Sequence, residues 1–159
     1  MRTLVIVALA LGLLSATTGF LIAAGDSNAD AIKKELEKLE GAWVTMSLEL
    51  NGTKESEEEV KKADMKLAFK GNTVSLRQKD EVVFEATFKI DPAKKPKTLD
   101  LTITKGQSDG TKSLAIYELD GDTLRACWTL FAVERDRPTE FATKADAGLL
   151  LVVYKREKK

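Results

Sequence analysis

Leu39-Glu40-Gly41-Ala42-Trp43, "LEGAW", is where the chain stops reading as a helix and starts reading as a strand. Upstream, "DAIKKELEKLE" from Asp30 to Glu40 sets Ile32, Leu36 and Leu39 at helical spacing, with Lys and Glu on the opposite face where i,i+4 pairs can form. Asp30 is the expected N-cap and Gly41 the expected C′ residue of this helix. Its apolar stripe is expected to lie as a lid on the domain core. Downstream, from Trp43, the period changes to short runs rich in Val, Leu, Phe and Thr, separated by turn residues.

About eight such runs can be counted. They are Trp43–Leu50, Met65–Lys70, Thr73–Lys79, Val82–Ile90, Thr98–Thr104, Ser113–Leu119, Thr123–Leu130 and Gly148–Lys155. Asn51-Gly52, Gly71-Asn72, Lys79-Asp80, Asp91-Pro92, Asp109-Gly110 and Asp120-Gly121-Asp122 punctuate them. Connections this short make neighbouring strands antiparallel, and no helical segment between them is long enough for a parallel crossover. An up-and-down meander of about eight strands can close on itself and remove both edges. In "AIYELDGDTLRACW", a turn at Gly121-Asp122 sets Leu119 opposite Leu124, Glu118 opposite Arg125 and Tyr117 opposite Ala126. Apolar then meets apolar and opposite charges meet, a match that a one-residue slip destroys.

Two stretches break the simple pattern. In "WVTMSLEL", Val44, Met46, Leu48 and Leu50 share a face that excludes Trp43, so a β-bulge just after Trp43 is expected to reset the phase. The last run, "LLLVVY", is apolar on both faces, and its outer face needs cover from the N-terminal helix or a second subunit.

The 159 residues are enough for one domain with one core. Charge is balanced, 25 Lys and Arg against 25 Asp and Glu, which argues against nucleic acid as a partner. No histidine occurs, so imidazole metal ligands, general bases and pH switches are absent by composition. The only cysteine, Cys127, lies mid-strand, where a thiol acts as a small hydrophobe. The first residues, "MRTLVIVALALGLLSATTGFLIAA", combine Arg2 with an apolar stretch from Leu4 to Leu14 of signal-peptide length. Residues 1–29 are read as a signal peptide, with Ser27-Asn28-Ala29 offering a cut before Asp30 and residues 30–159 forming the domain. The alternative is an uncleaved membrane anchor from Leu4 through Ala24. Both place the domain outside the cytoplasm: periplasm, cell envelope or secreted.

Together these residues resemble a family. Gly41-x-Trp43, placed after a short helix, resembles the lipocalin signature. "SLELNG", "FKIDPAKKPKTLDL", "IYELDGDTLRACW", "RPTEFATK" and "LLLVVYKRE" resemble, in order and with similar spacing, the planctomycete uncharacterised lipocalin-like domain. The resemblance implies an all-β, eight-stranded, up-and-down lipocalin-like barrel with a short N-terminal helix. It implies no activity. It also implies that Arg156 packs over Trp43 as a closed-end structural pair, a cation–π contact.

No catalytic motif is found, no metal ligand set is assigned and no cofactor is expected. The run Glu55, Glu57, Glu58, Glu59 lacks the spacing of a calcium loop and reads as a solvated loop or short helix. Lys94, Lys95 and Lys97 read as a charged connection. In "ERDRPTEFATKADA", Arg135, Arg137, Glu140 and Phe141 are the candidate interaction residues; the plainer expectation is an ion-paired loop folded over one barrel end. Phe84, Phe88, Leu101, Tyr117, Leu124 and Trp128 are the candidate cavity lining. A barrel of about eight strands either fills with side chains or holds one small ligand. The function expected is therefore non-catalytic binding of a small apolar ligand or an envelope protein, with a filled-barrel interaction module as the alternative and an enzyme least favoured. The membrane is a partner only if the N-terminal segment is retained.

Overall fold

The computed structural model describes residues 24–131 and 135–158. The expected signal segment therefore lies almost wholly outside the described residues. In chain order the elements are α1 (Ala24–Leu39), β1 (Gly41–Leu50), β2 (Thr53–Lys54), α2 (Glu57–Ala63), β3 (Met65–Lys70), β4 (Thr73–Gln78), β5 (Glu81–Asp91), β6 (Lys97–Lys105), β7 (Lys112–Asp120), β8 (Thr123–Thr129) and β9 (Leu149–Arg156).

Every strand pairing is antiparallel, and the sheet runs β2-β1-β3-β4-β5-β6-β7-β8-β9 with β1 also paired to β9. Eight strands thus close an up-and-down barrel, and the two-residue β2 is a spur on β1. The β7–β8 hairpin has the register that charge and apolar matching require, with Glu118 facing Arg125 and their side chains 3.2 Å apart. At one pole lie α1, the Gly71-Asn72 and Gly121-Asp122 turns and the 92–96 connection. At the other lie α2, the Lys79-Asp80 turn, residues 106–111 and the ends of β8 and β9 that the long connection joins.

The helix differs from the expectation at its start. It already includes Ala24, the first described residue, so Asp30 lies inside it and does not cap it. No proline interrupts residues 24–29, and a nucleated helix gains a hydrogen bond with each residue added. Its end is as read: Glu40 N–H bonds Leu36 O, and Gly41 takes φ +115° as the chain turns into β1. The stripe of Ile32, Leu36 and Leu39 packs against the barrel core.

The bulge in β1 falls two residues beyond the expected place. Opposite β9 the register jumps between Thr45 and Ser47, leaving Met46 as the extra residue. Trp43 and Thr45 point inward before it, and Leu48, paired with Val152, packs on the core after it. Met46 is left on the outer surface.

The acidic run is helical. Ser56 and Glu59 form a reciprocal capping box at the start of α2. The Ser56 hydroxyl hydrogen bond holds the Glu59 carboxyl below its ordinary range. Val60 is the one buried residue of α2, facing Val44 and Met46 across a groove on the outside of β1.

Within the chain, the cover of β9 comes from the β8–β9 connection and not from α1. Arg137 donates to Ala115 O at 2.8 Å and pairs with Asp100 at 2.6 Å, fixing the loop to the outer wall over β6 and β7. Phe141 lies under the Arg125 guanidinium, 4.6 Å from ring centre to Cζ. Thr143 accepts from Gly52 N–H at 2.7 Å, and Asn51 Oδ1 accepts from Gly148 and Leu149 N–H. The loop thus lies along the side wall, not over a barrel end, because its cationic anchor finds a carboxylate and free carbonyls on the strands themselves. Beneath it, Ile116 and Cys127 are buried on the outer face of the barrel.

Candidate functional site

At the closed pole, Trp43 is fully buried and its indole N–H donates to Leu39 O at 2.7 Å. The Arg156 guanidinium stacks over the indole with Cζ 4.2 Å from the ring centre. It also donates to Glu40 O and Lys38 O, the open carbonyls at the end of α1, and reaches Asp122 at 3.2 Å. Trp43 and Arg156 therefore tie the helix end to both strands of the barrel seam. Their role is structural.

Beside them is a polar knot built on Glu35. Three residues after Ile32 and four before Leu39, Glu35 flanks the apolar stripe of α1, and it is only 4 % exposed. Lys97 binds its carboxylate at 2.5 Å, Lys38 lies at 3.7 Å, and the Tyr117 hydroxyl donates at 3.4 Å. Burial, then the Glu35 charge, pushes the Tyr117 phenol far above its ordinary pKa, so it stays a donor. Lys97 is thus more than part of a charged connection. Its partner is 62 positions away in sequence, and no local pattern announces it.

The candidate lining residues all belong to the interior, but they divide into two groups. Phe88, Tyr117 and Leu124 are packed into the core, with Phe88 edge-on to Phe69 at 5.2 Å. Phe84, Leu101 and Trp128 border a void of about 80 Å³ near the open pole. Leu67, Val74, Leu76, Leu150, Phe131 and Tyr154 are among its other walls, and among the described residues no charged side chain lines it. Phe84 and Phe131 meet edge-to-face at 5.3 Å beside it. Sequence reasoning missed Tyr154 as a wall residue, although its position on the inner face followed from its cross-strand pairing with Leu124.

The candidate interaction residues are engaged within the chain. Arg135 donates to Ala147 O at 2.9 Å, and its side chain lies against Gly148, where no Cβ could fit without moving it. Arg137 is held by Asp100 and Ala115, Glu140 faces Lys144 at 3.7 Å, and Phe141 is stacked under Arg125. Arg135, Arg137 and Glu140 border a shallow polar groove on the loop, whereas Phe141 lies outside it.

Cys127 lies under this loop, its Sγ 3.8 Å from Ala142 O. Burial pushes the thiol up to about 11, so it is protonated and shielded near neutral pH. A maleimide at pH 8 is expected to leave the folded protein unmodified and to label it fully in urea, read by intact mass. Fast labelling of the folded protein would show that the loop does not cover the strand. The sign of the pH effect follows. Between about pH 8.5 and 11 the unfolded chain loses the thiol proton that the native chain keeps, so this contribution to stability falls as pH rises through that window.

No family model matches the chain, and no curated protein matches it.

Proposed function

We propose that the protein is an exported, non-catalytic, lipocalin-like barrel that takes up one small apolar molecule near its open pole. The observation that carries this reading is the 80 Å³ void, bordered mainly by Leu, Val, Phe and Trp side chains within an otherwise packed interior. A long lipid does not fit there: an engineered apolar cavity that takes a single benzene measures about 150 Å³. The lack of a lining charge among the described residues favours a neutral occupant, since an unpaired buried charge is costly.

Xenon under pressure tests the site directly, because it enters dry apolar cavities without needing a polar contact. The methyl resonances of Leu67, Val74, Leu101 and Leu150 are expected to shift saturably, and Val74→Phe to abolish the shift by filling the void. Absence of a saturable shift in the native chain would remove the reading. Export is checked separately by the N-terminal mass of the protein recovered from cells, expected to begin near Asp30. A second reading, a filled barrel that docks an envelope protein, draws on the groove of Val44, Met46 and Val60, where Met46 is half exposed.

A further inference from the structure

A groove of about 340 Å³ opens at the rim of the closed pole, where the 92–96 connection faces Phe141 of the β8–β9 connection. Pro92, Pro96, Leu119 and Phe141 give it an apolar wall, each half-buried and so still reachable from solvent. Lys94 and Lys95, both exposed, line it as well. The apolar void of the barrel lies near the opposite pole and shares no wall residue with this groove.

Most charges around the groove are already paired. Lys97 is held by Glu35 at 2.5 Å, and Glu118 faces Arg125 at 3.2 Å. The Asp91 carboxylate accepts from Ala93 N–H at 3.0 Å. Among the described residues, the Lys94 and Lys95 ammonium groups have neither an ion pair nor a hydrogen bond. The uncommitted charge at the groove is therefore positive. Its walls are fixed in advance. Proline restricts the backbone at both ends of the connection. Arg125 holds Phe141 twice, donating to its carbonyl at 3.1 Å and stacking on its ring. A ligand orders only the two lysine side chains, and a preformed wall costs little to occupy.

We infer that this groove binds a small aromatic carboxylate, its ring against Phe141, Leu119 and the two prolines and its anionic group on Lys94 and Lys95. The apolar wall suits a flat hydrocarbon body, and the two uncompensated ammonium groups beside it suit an anion at one end. The volume is at the small end for ligand pockets, which fits one or two fused rings. The site is independent of the void, which is smaller than the cavity of about 150 Å³ that takes a single benzene and so has no room for a naphthalene ring.

The probes are 2-naphthoate, its neutral counterpart 2-naphthamide, and acetate, titrated into the intact protein. 2-Naphthoate is expected to shift the backbone amide signals of Ala93, Lys94, Lys95 and Phe141 saturably, with a Kd of about 1 mM. The methyl signals of Leu67, Val74 and Leu101, at the void, are expected to stay in place. 2-Naphthamide is expected to bind about tenfold more weakly, and acetate to give no saturable shift. Salt at about 0.5 M is expected to bring the carboxylate down towards the amide. The double variant Lys94→Gln, Lys95→Gln changes only exposed side chains, and in it the two naphthalene probes are expected to bind equally. Absence of a saturable shift at these amides, equal affinity for 2-naphthamide in the native chain, saturable acetate binding, or an unchanged preference in the double variant would each overturn the assignment. None of these outcomes bears on the xenon test of the void, which stands or falls alone.

Discussion

Trp43→Ala is expected to lower the unfolding free energy by about 3–5 kcal/mol, the usual cost of deleting a fully buried aromatic side chain. Three losses combine at this position. The indole fills the closed pole beneath α1, donates to Leu39 O, and receives the Arg156 guanidinium on its face. Alanine leaves a cavity where helix and seam meet, and the Leu39 carbonyl loses a side-chain donor. Trp43→Phe separates the parts: the ring is largely kept while the N–H is lost, and a cost of about 1–2 kcal/mol is expected. Urea denaturation followed by far-ultraviolet circular dichroism measures both. A loss below about 1 kcal/mol for the alanine variant would show that the pole is not packed as described.

Lys97→Met and Glu35→Gln are expected to differ, although they break the same ion pair. Glu35 is almost wholly buried, whereas about a third of the Lys97 side chain is in water (32 %). Removing the lysine strands a carboxylate beneath α1, with Lys38 at 3.7 Å and the Tyr117 hydroxyl as its remaining partners. Breaking a buried pair this way costs about 3–5 kcal/mol; with one partner partly solvated, about 1–3 kcal/mol is expected. Removing the glutamate charge leaves Lys97 able to turn to solvent, and a loss under about 1 kcal/mol is expected. In a double-mutant cycle the two changes together should cost less than their sum. Equal losses for the two single variants would mean that Glu35 is not sealed in.

The barrel was legible in the sequence because strands and turns alternate with little interruption, and each hairpin is specified locally. Leu119, Glu118 and Tyr117 find their partners across two turn residues, so their register can be read by matching side chains. The bulge was legible only in kind. That Trp43 and Leu48 cannot share an inward face in a regular strand is local information. That Met46 is the extra residue depends on β9, more than a hundred positions away in the chain. Glu35 and Lys97 escaped for the same reason, since burial of a helical carboxylate depends on which cation the fold brings over it. The start of α2 was different: Ser56-x-x-Glu59 is a capping-box signal present in the sequence, and reading Glu55 to Glu59 by charge alone passed over it. Of the candidate cavity residues, strand alternation gave the inward direction, but the division between packed core and void is set by side-chain volumes across the whole barrel.

Closure by β1 against β9 bears on how fast this chain reaches its native state. Most of its hairpins join residues a few positions apart and can form early, but the seam pairs Trp43 with Arg156, more than a hundred positions away. The chain entropy lost in bringing them together is recovered only once the pairing is made, so zippering of the seam belongs late on the route and sets its pace. Until then β1 and β9 each present an unpaired backbone to other chains, which makes the interval before the seam shuts the period of greatest exposure to misassembly.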